Sequence, residues 1–286
     1  MTDSSDFKAL TFEERYESTP EGQEFARERG RSLQPRGPDM LFDMVGALDL
    51  GPGSTILDVG CGKGLVACRL AEHTPAQIVC IDVAPSRLAT ARKAVQDAGL
   101  EQRITVREAS ILDIPVESGS IDLVWSRDML GDGFPIPPAV RECYRVLRPG
   151  GAMLVYKTFA GELLEPGEAV RLLRAYGTAP KDVARELEST STTHAEQAFV
   201  DAGFRIEQKD VIGGEWREYA IEHGEHSPRH GLQASRLLRQ RDYFVQKYGQ
   251  PFYEWALADA LWMPFIMLGK LLPVAYLLRK DADMPK

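Results

Sequence analysis

The residue types best suited to chemistry fall in one short stretch, residues 54–64 (Ser-Thr-Ile-Leu-Asp-Val-Gly-Cys-Gly-Lys-Gly), and at one carboxylate beyond it, Asp82. Asp58 stands two residues before Gly60, and Gly60, Gly62 and Gly64 alternate through the segment that follows. Glycine there lets a ligand lie against bare backbone, because a Cβ would hold it off. A helix opening after the loop offers free N–H groups to anything negative. A carboxylate directed at the same loop repels a pyrophosphate but suits a ligand carrying an ammonium group. Asp82 closes the apolar run Gln77–Ile81, and a carboxylate at the end of a second strand can accept both hydroxyls of an adenosine ribose.

Histidine forms the other concentration of reactive groups. His194, His223, His226 and His230 lie late in the chain, and residues 222–230 read Glu-His-Gly-Glu-His-Ser-Pro-Arg-His. The density suggests a metal, but all ligands would come from one loop, without the i, i+4 helical pair or thiolates of firmer sites. A solvated loop is the expected reading, with no metal.

The elements that must position these groups follow from apolar patterning. Ile56, Leu57 and Val59 form a short run entered from the Gly51-Pro52-Gly53 turn, the pattern of a buried parallel strand, and Leu65–Ala71 has helical spacing. A helix over Asp39–Leu50 precedes it, and another from Pro85 runs through Leu88, Ala91 and Val95 to Gly99. Further strands are expected at Ile104–Val106, Ser120–Ser126, Ala152–Tyr156, Phe204 to about Ile212, and Pro273–Arg279, the last antiparallel. Strands alternating with helices predict an α/β fold, a doubly wound, mostly parallel sheet of seven strands. A ligand crevice then belongs at the carboxyl ends of the strands. That places Ser126-Arg127-Asp128-Met129, at the end of the fourth strand, between one ligand and another.

Two ligand classes compete for the glycine loop. A dinucleotide fingerprint is G-x-G-x-x-G, and here the third glycine comes one residue early. The string Leu-Asp-Val-Gly-Cys-Gly-Lys-Gly (residues 57–64) resembles motif I of the class I S-adenosylmethionine (SAM)-dependent methyltransferases. Ser120-Ile121-Asp122-Leu123-Val124, Arg145-Val146-Leu147-Arg148-Pro149-Gly150-Gly151 and Ala202-Gly203-Phe204-Arg205-Ile206 are similar to later motifs of that family, in the right order over about residues 38–212. The resemblance implies a Rossmann-like domain with SAM as cofactor and S-adenosylhomocysteine as product. Cofactor contacts would then fall on Asp58, Gly60, Cys61, Gly62, Gly64, Asp82, Val83, Ser110, Ile111 and Arg127. Ser110 departs from the family pattern, which has an aspartate five residues before the proline of the adenine loop, here Pro115. An Asn-Pro-Pro-Tyr type of motif is missing after the fourth strand, which counts against planar amino groups of DNA bases or glutamine as acceptors.

Three domains are expected: residues 1–37 as an N-terminal helical lid (patches at Phe12–Tyr16 and Gln23–Arg29), 38–212 with 273–286 as the SAM-binding domain, and 213–272 as a helical cap inserted before the last strand. The cap reads as helices over Glu215–His223, Leu232–Tyr248 and Phe252–Leu272, and its aromatic residues suit either an apolar acceptor pocket or ordinary core. Leu261–Leu278 is almost wholly apolar, but Lys270, Pro264 and Pro273 interrupt it, so no transmembrane segment is expected. Net charge of −8 over 286 residues argues against a nucleic-acid partner. Four cysteines without a CxxC pair and a polar start fit a reduced, cytoplasmic chain.

The expected activity is methyl transfer to O, N or C of a small, partly apolar metabolite or natural product, placing the chain in secondary metabolism. A methyl ester on a peptide or small-molecule carboxylate is the alternative acceptor. Asp128, His223 and His226 are the candidate bases; Arg31, Arg36 and Arg217 are candidate anchors for an anionic acceptor or the cofactor carboxylate. A nucleotide-dependent oxidoreductase and a non-catalytic SAM-binding protein are the rivals. The sequence leaves the oligomeric state open, a homodimer included.

Overall fold

A computed structural model describes residues 19–131, 133–224 and 227–282. The Phe12–Tyr16 patch and His226 lie outside them. The chain divides into two compact units, residues 1–35 and 36–286. In the first, α1 (Pro20–Arg29) begins three residues before the expected patch, capped by Thr19, whose hydroxyl accepts the Gly22 N–H at 3.1 Å.

The second unit is built on one seven-stranded sheet in the order β3-β2-β1-β4-β5-β7-β6. β1 (Thr55–Val59), β2 (Gln77–Asp82), β3 (Ile104–Glu108), β4 (Ile121–Arg127) and β5 (Leu147–Ala160) are parallel, and β7 (Leu271–Lys280) runs antiparallel between β5 and β6 (Phe204–Val211). Both sheet faces are covered, so the central strands carry continuous apolar runs. Ile56, Cys80, Trp125 and Leu154 pack on one face under α2 (Met40–Gly46) and α3 (Leu65–His73). Leu57, Val124, Val155 and Tyr276 pack on the other, against α5 (Ile136–Val146) and α8 (Thr192–Asp201). From β1 the chain winds outward to β3, then returns to lay β4 on β1's free side, so the strand order reverses between β1 and β4.

Several element boundaries differ from the sequence expectation. β5 is 14 residues long, because it pairs with β7 from Ala152 to Ala160, well past Tyr156. β7 starts at Leu271, not Pro273; an apolar run of this kind carries no signal separating helix end from strand start. The helix expected over Leu232–Tyr248 is two helices, α10 (Ser227–Arg239) and α11 (Arg241–Tyr248). Gln240, at φ −120° and ψ 35°, breaks them without a glycine or proline. The last cap helix, α12 (Gln250–Met267), passes through Pro264 and ends five residues before Leu272. No described helix is long and apolar enough to cross a membrane.

Candidate functional site

The loop after β1 is fastened to the end of β2. The N–H groups of Gly60 and Cys61 donate to the Ile81 carbonyl at 2.8 and 3.0 Å, and the Gly62 N–H donates to Asp82 Oδ2 at 2.9 Å. Asp82 Oδ1 accepts the Ala84 N–H at 2.9 Å. Both oxygens of this buried carboxylate therefore hold backbone, and each keeps further lone-pair capacity for a ligand hydroxyl. Gly60, Gly62 and Gly64 have φ of +72°, +56° and +77°, which side-chain-bearing residues rarely adopt. At Gly64 a Cβ would also stand 3.0 Å from the backbone of Ala91 in α4 (Pro85–Asp97), so this glycine sets the spacing between α3 and α4.

Asp58 is the anomaly of the site. Its side chain is 2% exposed, and Oδ2 is buried with no hydrogen-bond partner. Burial, followed by the neighbouring negative charge of Asp82, pushes its carboxyl up to about 7, while Arg127 pulls the other way. A buried, unpartnered acceptor costs stability, on the order of 1–3 kcal/mol. Such a group is explained when a ligand supplies the missing donor.

The cleft of about 280 Å3 beside the loop is lined by Gly60, Asp82, Val83 and Ile111, all expected, together with Ile81, Ala84, Arg87, Ala109, Met129 and Phe134. Ser110 does not line it; its Oγ accepts the Leu112 N–H at 3.1 Å and shapes the loop instead. That loop is held from below: Arg145 donates to the carbonyls of Ile114 (2.9 Å) and Val116 (3.1 Å), and Glu142 accepts the Ile114 N–H at 2.9 Å. Arg145 also donates directly to the Glu142 carboxylate at 2.8 and 2.7 Å, which holds it below the ordinary carboxylate range. Cys61 is buried in the loop beside Cys80, and its neighbouring thiol together with burial pushes the Cys80 thiol up.

Arg127 ends β4 and Asp128 follows it, across the reversal point from Asp58. The Arg127 guanidinium lies 5.7 Å from the ring centre of Tyr156, which stacks on Trp216 at 4.7 Å. Asp128 takes φ +55°, with its N–H donating to the Tyr156 carbonyl at 2.9 Å. Burial, then the charge of Asp128, pushes the Tyr156 hydroxyl up to about 12, opposed by Thr158, Arg127 and Arg217. Three charged groups thus act on one tyrosine beside the carboxyl end of β4.

The other expected residues stand elsewhere. His223 is exposed at the end of α9 (Glu215–Glu222), 4.0 Å over the Tyr219 ring, with Nδ1 hydrogen-bonded to the Tyr219 carbonyl at 2.9 Å. It does not line the cleft. Arg36 is engaged by Asp210 and Glu215, both at 2.7 Å. Among the described residues, no group of three His, Cys, Asp or Glu side chains is placed to hold a metal. Met129 lines the cleft as part of the segment expected there, whereas Arg87 and the Tyr156–Trp216 pair are not among the expected residues. Met129 follows Arg127-Asp128 directly, so the strand end that flags those two extends to it; Arg87 sits in the first turn of α4, where a helix start faces the cleft. The Tyr156–Trp216 contact has no local signal.

Comparison with known proteins bears on the middle of the chain. Residues 57–155 match the model of the family described as "Methyltransferase domain". That match spans about a third of the chain, and the seven-stranded sheet around it has the class I methyltransferase fold. The chain is 41% identical over 129 residues to a ubiquinone biosynthesis O-methyltransferase from Xanthomonas oryzae, covering 44% of this chain and 51% of the relative. The chain spans about half or less of the length of the curated relatives it matches. Among solved structures, the methyltransferase domain and its surroundings resemble a putative sarcosine dimethylglycine methyltransferase from Galdieria sulphuraria (TM-score 0.62, 19% identity, 85% of this chain and 84% of that one). They also resemble the [4+2]-cyclase SpnF (TM-score 0.62, 22% identity, 85% and 82%). At these identities the structural likeness establishes the fold of the methyltransferase domain, and a fold hosts more than one chemistry.

Proposed function

We propose that the protein is a SAM-dependent methyltransferase acting on a small, partly apolar acceptor. The observation that carries this reading is Asp58: a buried carboxylate whose free oxygen adjoins a glycine loop at the reversal point of the sheet. A SAM ammonium supplies the donor that Asp58 lacks; Asp82 takes the ribose, Gly60–Gly64 admit the chain between them, and Ile111 flanks the adenine. Arg127 is placed for the carboxylate of the same amino-acid group. When bound, SAM supplies an electrophilic methyl on sulfur. The chain's own task is to hold an acceptor in line with it and keep water out, which can account for most of the acceleration.

Residues 213–272 act as a cap over the acceptor in this reading, with Tyr156, Trp216, Arg217 and Asp128 on its wall. The acceptor end is polar as well as aromatic, so a carboxylate-bearing acceptor, esterified or held by Arg217, is the specific variant this wall favours. Asp128 is the base of choice over His223, being at the strand end where transfer occurs. The cytoplasm and secondary metabolism remain the expected setting.

Calorimetric titration of the whole chain with SAM, S-adenosylhomocysteine and NADH tests the proposal. Micromolar binding of both sulfur ligands, none of NADH, and a loss of about a hundredfold in Asp82→Ala are expected, from two charge-assisted hydrogen bonds removed at the loop. Binding of NADH alone would overturn it. Transfer of labelled methyl from SAM to a pool of apolar metabolites separates an enzyme from a SAM-binding protein of other function, the rival that the cyclase neighbour makes specific.

A further inference from the structure

We infer that Asp58 makes ligand entry a proton exchange: without a ligand Asp58 is held as the neutral acid, and a ligand bringing an ammonium group to Oδ2 expels that proton to solvent. The inference rests on the cofactor reading above and adds a selection rule to it. Adenosyl compounds with an α-amino group are discriminated from those without one by a margin that depends on pH.

The geometry carries it. Asp58 is 2% exposed near the end of a strand buried on both sides, so Oδ2 is shut off from bulk solvent and, among the described residues, meets no protein donor. The titratable and charged groups facing it are Asp82 and Cys80 from β2, Cys61 from the loop through its contact with Cys80, and Arg127 from β4. Asp82 is turned to the Gly62 and Ala84 N–H groups and offers Asp58 only its negative charge. Among the described residues Arg127 is the single opposing charge, and its guanidinium lies over Tyr156. Burial and Asp82 together outweigh it, which is why the Asp58 carboxyl sits near 7. An arriving ammonium reverses that balance, because an opposite charge within about 4–6 Å favours the charged acid. The proton balance is simple: the acid and an ammonium enter, a carboxylate–ammonium pair forms, and one proton leaves to buffer.

Apparent affinity scales with the fraction of chain in the binding-competent, ionised form. The sign follows: affinity is full above the Asp58 value of about 7 and falls tenfold for each pH unit below it. S-Adenosylhomocysteine and 5′-methylthioadenosine share the adenosyl thioether, and only the former carries the amino acid. They are titrated into the full chain between pH 5.5 and 8.5, in two buffers of different ionisation enthalpy. The expected result is a tenfold-per-unit slope and release of up to one proton for S-adenosylhomocysteine, with a flat profile and no proton release for 5′-methylthioadenosine. Asp58→Asn, which keeps the side-chain shape and every histidine, should bind S-adenosylhomocysteine weakly and without the slope. A flat profile for wild-type S-adenosylhomocysteine binding overturns the inference and leaves the cofactor reading standing. Equal slopes for the two ligands overturn it as well, since the titrating group would then lie at the adenosine. If neither binds, the cofactor reading and the inference fall together. The proton count on wild type decides the matter even if the variant does not fold.

Discussion

The glycine loop with its flanking carboxylates and the helical insert with its aromatic rings are held by different forces. Around β1 and β2, nearly every constraint is polar and specific to single atoms: three left-handed glycines, two backbone N–H groups on Asp82, and Arg145 and Glu142 gripping the loop after β3. The insert instead leans on apolar contact, and it leaves much of its surface uncovered: Phe252 is 66% and Trp255 46% exposed, although the same helix buries Tyr253, Ala258, Phe265 and Ile266. Its clamps are few, Lys270 to Glu168 at 2.6 Å and Arg36 to Asp210 and Glu215 being the clearest. A site that must recognise one constant ligand needs atoms fixed to tenths of an ångström. A surface meeting a variable acceptor is better served by rings that can repack.

That contrast breaks or sharpens under substitution. The largest effect is expected at Asp58. Its carboxyl is raised in the folded chain, so the native state binds more protons, and the stability it contributes is present at acid pH and lost as pH climbs from about 4 to 7. Asp58→Asn should therefore stabilise the ligand-free protein at pH 8, with the gain vanishing near pH 4. The gain reaches up to about 4 kcal/mol, because each tenfold change in acidity between folded and unfolded chain is worth roughly 1.36 kcal/mol. Denaturant melts at the two pH values measure it; a variant less stable at pH 8 would mean that Asp58 serves the fold before it serves a ligand.

Gly64→Ala comes next. The strained φ of +77° and a 3.0 Å approach to the Ala91 backbone should together cost about 2–3 kcal/mol, read as a lowered urea midpoint. Arg36→Ala removes a half-exposed network, for which about 1 kcal/mol is expected, and less at 0.5 M salt. Smallest is Phe252→Ser in the insert, within about 0.5 kcal/mol of wild type by thermal melting. A loss there comparable to Gly64→Ala would erase the distinction between the two regions.

The same division governs what is legible in the chain. β1, its loop and β2 are readable because apolar runs, glycine spacing and carboxylate positions are local patterns. Asp58 stands out for its place two residues before Gly60, a purely local fact, although its lack of a partner is visible only in three dimensions. Tyr156 and Trp216 are sixty residues apart and meet because β5 and α9 pack together; no periodicity announces that. Resemblance puts Ser110 at the adenine, yet its hydroxyl turns to Leu112, because a short side chain at a turn competes for nearby backbone. The break at Gln240 has no glycine or proline to mark it, and the 261–278 run reads equally as helix and strand.

The placement of β7 has a consequence for how the chain is made. β6 pairs with no strand except β7, and β7 is also the neighbour that β5 needs along nine residues. During synthesis the glycine loop, β1–β5 and all the insert helices leave the ribosome before residues 271–280 do. Until then β5 has an open edge and β6 has no partner, a state prone to pairing with other chains. The glycine loop thus emerges complete beside an unfinished sheet. Sealing that sheet falls to the strand that emerges last.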